Sequence, residues 1–232
     1  MKRFYKIAAP AEYEGGWQVM LDGRVVKSQG GRPQRVPTQD LAEALADEWA
    51  AQGEEIDPAS FVLRDMADYA IDVIAHERDT AINALMAYAE SDTLCYRAEE
   101  GEALHRRQLA SWEPLLAATE QQLGVSFARI GGIMHQPQPE ATLARLREVL
   151  AAKDDFTLAA MRSLAGLAAS LVVALAAIEQ GADAEALWAM ANLEEDYQAE
   201  LWGQDAEAQA LRARRFRDFA GAMRFADLVA GQ

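Results

Sequence analysis

The feature that most constrains this chain is a change of texture along its length. From Phe4 to Val36, Gly15-Gly16, Asp22-Gly23 and Gly30-Gly31 cut the sequence into short segments such as Trp17-Gln18-Val19-Met20-Leu21 and Arg24-Val25-Val26. Glycines at that spacing specify turns between strands. Leu21-Asp22-Gly23-Arg24 has the form of a two-residue hairpin, with Trp17, Val19 and Leu21 alternating onto one face of the first strand. So small a sheet must pack a face against something. The next segment supplies it: a helix after Pro37, capped by Thr38 or Asp40, whose stripe of Leu41, Leu45 and Trp49 ends before Gly53. Trp49 reads as the core anchor between helix and sheet.

Beyond Pro58 the period is helical almost throughout, with no strand alternation. The expected class is α+β: a small amino-terminal antiparallel sheet with a helix over residues 1–60, then a larger all-helical bundle over residues 61–232. Helices are expected over Leu63 to Ala89 with a break near His76 to Asp79, over Glu102 to Leu123, and over Glu140 to Ala152, Asp154 to Gln180, Asp183 to Trp202 and Asp205 to Val229. The uncharged run from Ser163 to Ile178 is too short for a bilayer needing about 20 apolar residues, and reads as one buried core helix.

Charge bounds the partners. With 22 Lys and Arg against 37 Asp and Glu, the net charge is −15, which disfavours nucleic acid and anionic membrane. The arginines Arg212, Arg214, Arg215 and Arg217 are expected to face the acidic run before them. Cys95 is the single cysteine, so neither an internal disulfide nor a four-cysteine zinc site can form, and it reads as a small buried hydrophobe. No secretory h-region follows Met1-Lys2-Arg3, so a bacterial cytoplasmic location is expected, or the mitochondrial matrix for a processed form.

Catalytic patterns fail on countable features. Neither GxxxxGK[ST] nor GxGxxG occurs, and His76-Glu77 starts an HExxH whose second histidine position is Thr80. Glu102 and His105 match one Glu-x-x-His unit, but di-iron chemistry needs two. No catalytic residue, cofactor or metal is therefore expected. What remains is Leu193-Glu194-Glu195-Asp196-Tyr197-Gln198-Ala199-Glu200-Leu201-Trp202-Gly203, an acidic helix with a glycine stop. Leu193, Tyr197 and Leu201, with Trp202, are expected to hold it in the bundle and leave Glu194 outward.

Six segments then stand in a recognisable order. They are Leu21-Asp22-Gly23-Arg24; Val36-Pro37-Thr38 with Leu41-Ala42; Glu48-Trp49 with Gln52; Ile56-Asp57-Pro58 ahead of Ile71-Asp72; Ser91-Asp92-Thr93-Leu94-Cys95-Tyr96-Arg97; and Leu193-Glu194-Glu195 through Trp202-Gly203. Together they resemble the F1 ATP synthase assembly chaperone family that binds the F1 alpha subunit, over nearly the whole chain. Two segments depart from that pattern: Lys27-Ser28-Gln29, where a Thr-Pro turn is common, and Phe61-Val62-Leu63, where Met-Pro-Leu is usual.

The resemblance implies a protein without catalytic activity that binds the unassembled alpha subunit and keeps it from aggregating until beta replaces the chaperone. It implies a small sheet domain followed by a helical domain. The partner-binding residues it points to are Glu194, Glu195, Trp202 and Gly203, then Asp92, Tyr96 and Arg97. For the second group a structural part is equally expected, an Asp-Arg pair and a tyrosine hydroxyl fastening a helix end beside buried Cys95. A monomer is assumed. From another class, a small-molecule enzyme or carrier with a pocket between sheet and bundle is the alternative, marked by a deep cavity lined by His105 and carboxylates.

Overall fold

The computed structural model of the chain describes residues 1–132, 134–203 and 205–231. Packing divides it into two compact units, each built from separate stretches: Met1–Thr80 with Asp154–Ala160 and Gly221–Gln232, and Ala81–Lys153 with Met161–Ala220. The expected domain boundary at residue 60 falls inside the first of these units.

In the first unit, β1 (Ala8–Tyr13) pairs antiparallel with β2 (Gly16–Leu21), Ala8 opposite Leu21 and Tyr13 opposite Gly16. The Asp22-Gly23 turn returns the chain as β3 (Arg24–Val25) beside Met20 and Leu21, as the hairpin pattern predicts. β4 (Arg35–Val36) pairs the other half of β2 at Trp17 and Gln18. The Asp22 carboxylate accepts from the Lys6 and Ile7 N–H groups at 2.9–3.1 Å, which holds its carboxyl below the usual range and pins the segment ahead of β1.

Helix α1 (Gln39–Ala50) buries Leu41, Leu45 and Trp49 against this sheet. Its ends are satisfied from afar. Thr38 Oγ1 accepts from the Leu41 N–H at 3.2 Å and donates to the Leu228 carbonyl at 2.6 Å, while the Arg3 guanidinium donates to the Ala50 and Gln52 carbonyls. Glu48 in turn caps α2 (Val62–Tyr69), accepting from the Leu63 and Arg64 N–H groups at 2.8 and 2.9 Å. Gln52 holds Asp57 and Ser60, and Trp49 packs between Tyr5 and Phe61. Glu48, Trp49 and Gln52 thus form one fastening between α1 and the segment that follows it.

A π-helical turn, Ala70–Ile74, leads out of α2, and residues 75–77 break the path before α3 (Arg78–Glu90). Asp72 on that turn accepts from Ser28 Oγ at 2.7 Å, the Gly30 N–H at 2.6 Å and Arg32 at 3.0 Å, and Asp68 takes the Gln29 N–H and the Gln34 amide. Lys27-Ser28-Gln29 is thereby latched by two carboxylates one helical turn apart.

The second unit is mostly helical, with three corrections to the expected pattern. β5 (Tyr96–Arg97) pairs parallel with β6 (Ile130–Gly131), strands too short to leave a period in the sequence. The run read as one helix from Asp154 to Gln180 is two, α6 (Asp155–Ala168) and α7 (Leu171–Ala177). Ala169 adopts φ +49° between them, and Ser170 caps α7 by accepting from the Val173 N–H. Before them lie α4 (Ala103–Leu123), which contains Pro114, and α5 (Glu140–Ala151). The expected Asp183–Trp202 helix also breaks, at Asn192, into α8 (Ala184–Ala191) and α9 (Leu193–Trp202); α10 (Ala206–Ala230) closes the chain. No helix among the described residues is long and apolar enough to cross a membrane.

Candidate functional site

Both signature segments of the second unit converge on one face of α4, and a side chain the sequence did not single out joins them. Gln108 is fully buried. Its Oε1 accepts from the Ala98 N–H at 2.8 Å, just past β5, and its Nε2 donates to Glu194 Oε1 at 2.6 Å on α9. One turn further along α4, Trp112 donates from Nε1 to the Met190 carbonyl at the end of α8, with the Arg97 guanidinium 5.1 Å over its ring. The next residue, Glu113, bridges Arg97 and Arg129, and the two arginines hold its carboxyl below the ordinary value.

Glu194 is therefore not outward as the spacing suggested; it is half-buried and tied to α4. The apolar stripe is corrected in the opposite sense. No residue of α9 is buried: Leu193 and Tyr197 are half-exposed, Leu201 is 57% exposed and Trp202 78%. The break at Asn192 is the reason, since it ends α8 and starts α9 as a separate helix. Polar contacts hold it instead. Arg107 pairs with Glu200 at 2.7 Å and lies 5.0 Å over the Tyr197 ring; Arg212 pairs with Asp196; Arg215 reaches Glu195 at 3.9 Å. Arginines of α10 do face the acidic run, as the charge pattern implied, and the helix presents much less free negative charge than its sequence. Gly203 ends it at φ +82°, its N–H bonded to the Ala199 carbonyl.

The other segment is internal. Asp92 is closed to solvent and does not pair with Arg97. Its carboxylate accepts from the Leu94 and Val172 N–H groups at 3.0 and 2.9 Å, tying the turn before β5 to the start of α7. Burial pushes its carboxyl up to about 6 against the lowering effect of those donors. Arg97, also buried, donates to the Leu94 carbonyl and to Glu113. Cys95 is buried between them, its thiol pushed up to about 12, chiefly by burial. Tyr96 is half-exposed, its hydroxyl 3.1 Å from His135 Nδ1 rather than at a helix end.

Among the described residues no group of three or more His, Cys, Asp or Glu is placed to hold a metal. His105 lines neither the cavity of about 430 Å³ between α4, α5, α7 and α8 nor the groove between Trp188 on α8 and Phe216 on α10.

The family model described as ATP12 chaperone protein matches residues 2–120. This chain belongs to the ATP12 chaperone family. That span runs from the sheet through β5 to most of α4; whole-chain relatives carry the likeness through α9. Atp12 from Paracoccus denitrificans is 37% identical, with a TM-score of 0.91 over 98% of each chain. The Atu1473 protein from Agrobacterium tumefaciens is 36% identical at a TM-score of 0.93, covering 98% of this chain and 85% of that one. Protein atp12, mitochondrial, from Schizosaccharomyces pombe is 27% identical over 214 residues, 87% of this chain and 74% of its own. The ATP12-family fold, a small antiparallel sheet followed by helices, is the one built here.

Proposed function

We propose that this chain acts in ATP synthase assembly by binding the unassembled F1 alpha subunit and shielding its subunit-facing surface from aggregation until beta replaces it. Family membership supports the chaperone role. The observation that carries the binding site is Leu201 and Trp202, two large apolar side chains open to solvent on a helix that ion pairs hold in place. A tryptophan displayed on a fastened element has the form of a binding hot spot.

Roles divide by exposure. Trp202 and Glu195 meet the client, Gly203 sets where the helix stops, and Glu194 positions α9 through Gln108. Asp92 and Arg97 hold the turn that presents Tyr96. The protein performs no chemistry on its client, and it acts where F1 is assembled, in the bacterial cytoplasm or, for a processed form, the mitochondrial matrix. The test is co-purification with isolated alpha subunit, together with light scattering of that subunit as it aggregates. Trp202→Ala should weaken capture by about 30-fold, the loss of one hot-spot side chain. Wild-type chain that neither binds alpha subunit nor suppresses its aggregation overturns the reading.

A further inference from the structure

Charge is unevenly placed along this chain. Residues 1–36 carry seven Lys and Arg against three carboxylates, a net +4 in a molecule whose total is −15. Arg3 is spent on the end of α1, Arg32 on Asp72, and Arg35 lies 3.6 Å over the Tyr13 ring. Arg24 and Lys27 are exposed and have no ion-pair partner among the described residues.

Those two cations line a cavity of about 500 Å³ within the first unit, together with Phe4, Tyr5, Leu21, Asp22, Val25, Val26 and Trp49. That is the volume range of ligand pockets, about 300–1,000 Å³. Three aromatics form one wall: Phe4 meets Tyr5 edge-on at 5.3 Å, and Tyr5 meets Trp49 edge-on at 5.6 Å. The single carboxylate in the lining, Asp22, is occupied by the Lys6 and Ile7 N–H groups. Phe4 and Val25 are exposed beside the cavity, and exposed Ile7 is joined to Asp22.

We propose that this cavity docks an acidic segment of another polypeptide, taking an aliphatic or aromatic side chain against Tyr5 and Trp49 while flanking carboxylates meet Arg24 and Lys27. Apolar burial provides affinity. The unpaired cations select the sign of the flanking charge, on a net-positive stretch of an otherwise acidic chain. Neither α9 nor the alpha subunit enters this argument, so the site can fail without the proposed function failing.

The experiment uses the full-length chain labelled with nitrogen-15 and the peptide acetyl-Asp-Glu-Leu-Phe-Asp-Glu-amide, with a peptide in which lysine replaces every acid as the control. The acidic peptide should shift the amide signals of Leu21, Val25 and Val26 and the Trp49 indole signal; the basic one should not. Arg24→Glu combined with Lys27→Glu, both exposed and unpaired and therefore tolerated by the fold, should weaken binding about tenfold or more, the loss and reversal of two surface charge contacts. Equal binding of both peptides, or no shift at these positions, overturns the proposal. Binding of decanoate without the acidic peptide overturns it in favour of a fatty-acid pocket. A light-scattering mass of two chains that the double variant returns to one assigns the face to self-association and overturns it as well.

Discussion

Gln108→Leu isolates the link between the two signature segments. The side chain is fully buried and makes two bonds, accepting from the Ala98 N–H at 2.8 Å and donating to Glu194 Oε1 at 2.6 Å. The first is worth about 1 kcal/mol and the second, to a carboxylate, about 1.5–3 kcal/mol. Leucine recovers about 1 kcal/mol through its extra apolar surface. The net loss should be about 1.5–3 kcal/mol, a fall in Tm of roughly 3–12 °C for a chain of this size. Urea unfolding of wild type, Gln108→Leu, Glu194→Ala and the double variant closes a double-mutant cycle. The coupling should be about 1–2 kcal/mol, because each single variant deletes the same bond. A coupling below about 0.3 kcal/mol would mean that Glu194 does not depend on Gln108 for its place, and would refute the positioning role given to it.

Asp92 makes a pH prediction. Its carboxyl sits at about 6 in the folded chain against 3.8 in the reference state, so the native form holds the extra proton between those values. Its contribution to stability is present below the lower value and lost as pH rises through about 6. Wild type should gain about 1 kcal/mol more than Asp92→Asn on going from pH 7 to pH 5, measured by urea unfolding; a difference that does not change with pH contradicts the assignment. Cys95, buried with its thiol raised to about 12, should resist iodoacetamide at pH 8 in the native chain and react only as unfolding exposes it. Gly221→Leu should cost about 1–3 kcal/mol by overpacking, since a Cβ there would lie 2.7 Å from Val62 Cγ1; an unchanged midpoint in urea would show that Val62 yields.

How much was legible in the sequence follows from how local each cause is. The Asp22-Gly23 turn, the Thr38 cap and the Leu41, Leu45 and Trp49 stripe are fixed within a few residues, and all three stand where the pattern put them. The break at Ala169 was hidden because Ser170 is one hydroxyl in an apolar run, and the Asp92 carboxylate that takes the Val172 N–H comes from far along the chain. The course of α9 is hidden for the same reason: Arg107, Arg212 and Arg215 reach it from α4 and α10 and substitute for apolar burial. Gln108 left no signal, because a neutral amide on a mixed helical face looks like a surface residue until both its partners are in place.

Trp202 standing open has a consequence for the molecule in concentrated solution. A side chain 78% exposed and suited to sticking to other proteins is equally suited to sticking to its own copies. The net charge of −15 opposes that, since copies approaching at neutral pH repel one another before the indoles can meet. Near the isoelectric point of about 4.6 the repulsion vanishes while the indole remains. The acidity that disfavours nucleic acid thus also opposes adhesion between copies through an exposed indole.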